Sequence, residues 1–243
     1  MFSLFQHRKN ILEGDLLKDS TDVHCHLLPG VDDGFQNVED TEQALSDLAE
    51  MGVTQMIFTP HVMEDLSNTR ASLQQHFEAF CQKVKSPVRL KLAAEYMLDA
   101  GFTTHVSEGL LTMGFDRRVL VETSYFSPPP DLDDMLYQLK VKGYIPILAH
   151  PERYAYMMMR DYERLKHNGY LFQLNYLSLG GFYGKPAQMK ARDLLKARMY
   201  DYTGSDCHNL GKHHWGLSHL NLSSSEAQHL RRLFDNNRTL FVG

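Results

Sequence analysis

The sequence predicts a single-domain α/β fold, a parallel barrel of seven strand–helix units, and three observations carry that prediction. Short runs rich in β-branched and apolar residues alternate with amphipathic helical stretches along the chain. No linker, low-complexity tract or compositional break interrupts this alternation across 243 residues. Side chains of one chemical kind, His, Asp and Glu, recur at the ends of the apolar runs.

Strands are expected at Thr21–His26, Val53–Thr59, Val88–Glu95, Val119–Thr123, Ile145–Ala149, Tyr170–Asn175 and Tyr200–Ser205. The spacing predicts a helix over Val38–Met51, with Ala44, Leu45, Leu48 and Ala49 on one face. Glu39 and Asp40 sit near its positive end and Gly52 stops it. Asp131–Lys142 repeats the design, with Met135, Leu136 and Leu139 as the buried stripe and Gly143 as the stop. Pro186–Arg198 is a third helix. One domain is expected over 1–243, with its core at about 19–210 and a C-terminal helix and tail over 211–243.

Composition narrows the function. No apolar run approaches the roughly 20 residues of a membrane span, and Met1–Phe5 is too short for a signal-peptide core. Three scattered cysteines argue against a disulfide scaffold and for a reducing cytoplasm. A net charge of −5 disfavours a nucleic-acid surface.

The chemistry lies at the strand ends. Strand one ends in His24-Cys25-His26, where alternate residues share a face. Later ends deliver His61, Glu95, Glu122, then His150-Pro151-Glu152-Arg153, and finally Asp206-Cys207-His208. The loop after strand one adds Asp32 and Asp33. In a parallel barrel all these ends converge on one rim, where ligand groups can meet a cation. Cys25 and Cys207 should face the other way and pack. His7, His76, His105, His167 and His219 read as solvated, and Met157–Met159 as a helix packing surface.

The run from Thr21 to Gly34, TDVHCHLLPGVDDG, resembles the opening motif of the polymerase-and-histidinol-phosphatase (PHP) superfamily, particularly its bacterial capsular- and exopolysaccharide-type tyrosine phosphatases. Thr59-Pro60-His61, Val121-Glu122-Thr123, Ala149–Arg153 and Gly204–His208 match the later motifs in order. The resemblance implies a distorted (β/α)7 barrel of PHP type with two or three divalent ions, Mn, Fe or Zn. It implies His24, His26, Glu95 and Asp206 around one ion; Glu95, Glu122 and His150 around a second; and Asp33, His61 and His208 around a third. Arg153 would hold the substrate phosphate, with Asp33 and His61 in the catalytic group. An ion-activated water would then attack phosphorus without a phosphoenzyme. The implied substrate is a phosphotyrosine protein, the C-terminal tail of a tyrosine kinase that controls polysaccharide export.

The loops Tyr125–Pro130 and Leu177–Lys185 fall on the catalytic rim, making Tyr125 and Lys185 substrate-binding candidates. A cysteine phosphatase is excluded, because the arginine it needs six positions after the nucleophile is replaced by Val31, Pro87 and His213. A small-molecule phosphomonoesterase acting on a histidinol-phosphate-like substrate remains the alternative; a nuclease and a non-catalytic metal-binding module are weaker ones. Lys212-His213-His214-Trp215 stands where relatives carry more arginine, so a second phosphate-binding cation is left open, as is homo-oligomerisation.

Overall fold

The structure is a computed structural model that describes residues 8–242. The expectations for Met1–Phe5 and His7 lie outside those residues. The chain runs β1 (Lys9–Asn10), β2 (Ser20–Asp22), α1 (Val38–Glu50), β3 (Val53–Phe58), β4 (His61–Val62), α2 (Arg70–Lys83), β5 (Arg89–Leu92) and β6 (Glu95–Met97). It continues through α3 (Phe102–Glu108), β7 (Arg118–Glu122), α4 (Leu132–Val141), β8 (Ile145–Ala149), α5 (Met159–His167), β9 (Leu171–Asn175) and α6 (Gly184–Lys196). The last elements are β10 (Tyr202–Gly204), α7 (Leu210–His219), β11 (Asn221–Leu222) and α8 (Ser224–Phe241).

This is an α/β fold with parallel sheets. Six strands form one sheet in the order β10-β9-β8-β7-β6-β4, and β2-β3-β5 form another. A short antiparallel pair, β1 and β11, stands apart. All pairings within the two larger sheets are parallel, so their carboxyl ends share one side.

The expected strand two appears as β3, with a further short strand, β4, beyond its expected end, and the expected strand three divides into β5 and β6. Pro60 has no N–H to give to a ladder, and the chain turns there between β3 and β4. Ala93 N–H donates to Phe58 O at 2.8 Å and Glu95 N–H to Pro60 O at 3.1 Å, so both chains pass together from one sheet to the other. Strand one is shorter than expected, and His24 and His26 lie beyond it. The Asp22 carboxylate accepts the N–H groups of His24 and Ser205 and replaces ladder bonds there.

The gap between β2 and β10 is bridged at two levels. Near the ligands, Asp206 N–H donates to His24 O at 2.8 Å and His26 N–H to Cys207 O at 3.0 Å. Lower down, the Asn237 amide of α8 donates to Thr21 O and Thr203 O, both at 2.7 Å, and accepts from Thr203 N–H at 3.1 Å. The C-terminal helix is therefore a clasp between sheets, a role its position in the sequence did not suggest.

The helices close the core. Asn37 caps α1 by accepting Asp40 N–H at 2.8 Å, and Ala44, Leu45 and Leu48 are buried. Burying each such leucine stabilises the fold by roughly 2 kcal/mol. Of the methionine run only Met157 packs; Met158 is 60% exposed and Met159 40%, because α5 starts at Met159 and turns both outward. Cys25 and Cys207 are buried as packing residues. His76, His167 and His219 are exposed, and His105 is half-buried.

Candidate metal centre

Nine side chains meet at the carboxyl ends of the strands. His24 and His26 follow β2, His61 opens β4, Glu95 opens β6, and Glu122 ends β7. His150 follows β8, Asp206 and His208 follow β10, and Asp33 comes from the loop before α1. Two of the approaches are sharply turned. His150 at φ 31° and Asp206 at φ 53° hold left-handed backbone conformations that are costly without a glycine.

Glu95 is the hub. Its Oε2 lies 3.0 Å from His24 Nε2, 3.4 Å from His26 Nε2 and 3.3 Å from His61 Nδ1, while Oε1 lies 3.0 Å from His150 Nε2. Asp206 Oδ1 is 3.4 Å from both His24 Nε2 and His26 Nε2. Glu122 Oε1 is 3.1 Å from His61 Nδ1, and Asp33 Oδ1 is 3.3 Å from His208 Nε2.

Three overlapping groups have all their ligand atoms within 4.8 Å of one another: His24, His26, Glu95 and Asp206; His61, Glu95 and Glu122; and His26, Asp33, His61 and His208. The first matches the implied set. In the second, His61 takes the place expected for His150, which touches Glu95 but stands 3.8 Å from Glu122 Oε2. In the third, His26 joins the implied trio.

The donors present fit divalent cations. His61 Nδ1, Glu95 Oε1 and both ring nitrogens of His150 are buried yet make no hydrogen bond, despite short contacts. Of these, His61 Nδ1, Glu95 Oε1 and His150 Nε2 crowd together at the cluster, and such orphans are costly unless a cation satisfies them. Mixed imidazole and carboxylate donors suit Mn, Fe or Zn better than Mg or Ca.

The electrostatics point the same way. Burial works against a charged His24, but Glu95 and Asp206 overcome it and push its pKa up to about 9. The same competition leaves His26 well above its ordinary value. Burial raises the carboxyls of Glu95 and Asp206, yet the imidazoles around them hold both well below the usual range. Asp33 falls to about 2 beside His208. Positive charge, as protons or as metal, is drawn into this cluster.

Two residues support the candidate ligands: Asp32, which the sequence offered only as a loop carboxylate beside Asp33, and Gln173, which it did not single out. Asp32 accepts from His26 Nδ1 at 2.8 Å and from the N–H groups of His61 and Gly34, each at 3.0 Å. Gln173 Oε1 meets His24 Nδ1 at 2.8 Å. Both set the ring orientation and so aim Nε2 at the centre. The signal for Gln173 was an amide inside the apolar run Leu171–Asn175, a strand to which no ligand had been assigned. Glycine is required at two nearby positions. A Cβ on Gly34 would sit 2.1 Å from His26 O, and one on Gly204 would sit 2.5 Å from His24 Cβ.

Arg153 adjoins the cluster. Its guanidinium donates to Asp206 Oδ2 at 2.7 Å and lies between the rings of Tyr125, at 4.3 Å, and Tyr183, at 4.1 Å. Asn175 and the Tyr183 hydroxyl donate to the same Oδ2 at 3.0 and 3.1 Å. A cleft of about 350 Å³ opens here, lined in part by Asp33, His61, Tyr125, Arg153, Asp206 and His208. Lys185 does not line it; it is exposed at the start of α6, 3.4 Å from Gln188 Oε1. Glu152 points away from the cleft and accepts from Ser178, Tyr200 and Asn175 N–H, a structural role.

Parallel strands converging on an imidazole–carboxylate cluster, with an arginine beside it, define a metal-centre α/β protein of hydrolase type. The chain belongs to the capsular polysaccharide synthesis family CpsB/CapC, whose profile matches residues 20–223. It is 26% identical over 196 residues to tyrosine-protein phosphatase YwqE of Bacillus subtilis, covering 78% of this chain and 77% of that protein. It is 25% identical over 201 residues to putative tyrosine-protein phosphatase CapC of Staphylococcus aureus, covering 78% and 77%. Its fold matches a chain from the crystal structures of YwqE from Bacillus subtilis and CpsB from Streptococcus pneumoniae, described as unique metal-dependent tyrosine phosphatases. That match has a TM-score of 0.71 and 23% identity, over 92% of this chain and 96% of that one.

Proposed function

We propose that this protein is a metal-dependent protein-tyrosine phosphatase, a phosphoric monoester hydrolase acting on phosphotyrosine. The observation that carries the reading is the hub at Glu95, which two groups able to hold a cation share and a third adjoins through His26 and His61, beside a ring-flanked arginine. Family membership and the relatives' names support the substrate class. We read the two sheets as one interrupted (β/α)7 barrel, joined across β2 and β10, and residues 1–243 as a single domain.

His24, His26, Asp33, His61, Glu95, Glu122, His150, Asp206 and His208 would hold two or three divalent ions. Such ions supply Lewis acidity and lower the pKa of a water that serves as nucleophile. The chain's own residues do the remainder. Arg153 binds the phosphate oxygens and stabilises the charge that builds on them during transfer. Asp206 fixes the guanidinium, while Tyr125 and Tyr183 shield it from water. Asp33 and His61, which line the cleft beside the cluster, would handle the proton of the attacking water. A tyrosinate leaving group has an ordinary pKa near 10 and needs little protonation.

The substrate in this reading is a tyrosine-phosphorylated protein segment, the tail of a kinase controlling polysaccharide synthesis, met in the cytoplasm. Among the described residues no helix is long and apolar enough to cross a membrane. Comparing metal-loaded turnover of a phosphotyrosine peptide with that of histidinol phosphate tests the choice. Preference for the peptide supports it, and preference for histidinol phosphate assigns a small-molecule phosphatase.

A further inference from the structure

Beyond Arg153 the cleft wall continues through Leu177, Phe182, Tyr183, Asn209 and Lys212. Two aromatic rings of that wall, Tyr183 and Phe182, lead on to Trp215, which stands just beyond the lining residues. Arg153 lies 4.1 Å from the Tyr183 ring, Tyr183 4.8 Å from Phe182, and Phe182 5.9 Å from Trp215. Trp215 is 54% exposed, and Lys212, three residues earlier on α7, shares its side of the helix. Lys212 is exposed, and among the described residues no carboxylate pairs with its ammonium. The acidic residues lining the cleft, Asp33 and Asp206, belong to the metal end and are already engaged by His208 and Arg153.

The cleft therefore has two ends of different character. One gathers cations and Arg153 for a phosphate; the other offers aromatic rings and a single unpaired lysine. The path from Arg153 to Trp215 spans at most about 15 Å, and an extended peptide advances roughly 3.3 Å per residue. The phosphotyrosine side chain, with its phosphate on Arg153, covers roughly half of that span, which leaves the outer end to the adjacent two or so residues.

We propose that Phe182, Trp215 and Lys212 form a flanking-residue subsite that selects phosphotyrosine segments carrying Asp or Glu beside the phosphotyrosine. The subsite rests on the phosphotyrosine reading above. The rings take the apolar surface of the peptide, and Lys212 pairs with the neighbouring carboxylate.

The test uses the metal-loaded protein and three phosphotyrosine peptides that differ only in having Glu, Ala or Lys next to the phosphotyrosine. The Glu peptide should exceed the Lys peptide in kcat/KM by about three- to fivefold at low salt, and salt should erase the difference. Lys212→Ala should remove the preference and Lys212→Glu should reverse it. Trp215→Ala should raise KM for all three peptides alike. Hydrolysis of p-nitrophenyl phosphate, which does not reach the outer end, should persist throughout. A wild-type enzyme indifferent to the flanking charge would overturn the subsite. So would an equal loss on p-nitrophenyl phosphate in Lys212→Ala, which would put the lysine on the phosphate itself. Failure of the underlying reading looks different: no peptide is hydrolysed while p-nitrophenyl phosphate turnover continues.

Discussion

Arg153 and Asp206 are joined at 2.7 Å through Oδ2, while the other oxygen of the same carboxylate faces His24 and His26 at 3.4 Å. One carboxylate thus couples Arg153, the proposed phosphate-binding cation, to the proposed metal cluster and sets the distance between them. Arg153→Ala should lower kcat/KM on the order of 10²- to 10³-fold, as loss of a single transition-state donor does. Metal content should stay close to wild type. Arg153→Lys should recover only part of the loss, because an ammonium cannot make a bidentate contact or stack flat between two rings. Steady-state kinetics alongside elemental analysis separates these effects, and loss of metal in Arg153→Ala would count against the assignment.

Asp32 and Gln173 bond to the rear nitrogens of His26 and His24. Asp32→Asn and Gln173→Leu should each weaken metal binding by about 10- to 100-fold while leaving the fold intact. Competition against a chromogenic chelator measures the affinity, and circular dichroism checks the fold. Unchanged affinity in both variants would show that ring orientation does not depend on these partners.

His213 gives a stability prediction separate from catalysis. Burial, with the nearby His214 charge, lowers its pKa from 6.5 to about 3, and its Nε2 pairs with the Tyr176 hydroxyl at 2.9 Å. The folded protein keeps this imidazole neutral, whereas the unfolded chain takes up a proton below pH 6.5. The folded state should therefore lose stability as pH falls from 6.5 towards 3, with no further loss from this group below that. The full effect is on the order of a few kcal/mol. His213→Gln should flatten that acid limb relative to wild type at matched metal loading. Denaturant midpoints measured across the window would show it, and parallel limbs would contradict it.

Much of the candidate site could be read from the sequence because its residues lie at or just past strand ends, where a parallel fold gathers them. The i, i+2 pairs His24/His26 and Asp206/His208 mark shared faces, and His150 precedes a proline that must end its strand. The resemblance already gave Glu95 to two ions, but not its contact with His61, since that depends on how separate chain segments approach one another. His61 serving two groups has the same origin. The break at Ala93-Ala94 was missed because Leu92-Ala93-Ala94 stays apolar straight through it, and β4 was missed because it is only two residues long. Asn237 was missed because its three bonds go to Thr21 and Thr203, partners brought near only by the closed fold. Lys185 looked like a cleft residue from its loop, yet α6 begins at Gly184 and carries it away.

The central claim is that Glu95 organises a cluster of ions on which hydrolysis depends. It is tested most directly by counting metal per chain while titrating Mn into chelator-stripped protein, with phosphotyrosine-peptide turnover read at each point. Wild type should be inactive when stripped and should gain activity as two to three ions bind, whereas Glu95→Gln should bind fewer ions and stay inactive. Full turnover by the stripped protein, or by Glu95→Gln with its metal lost, would contradict the account.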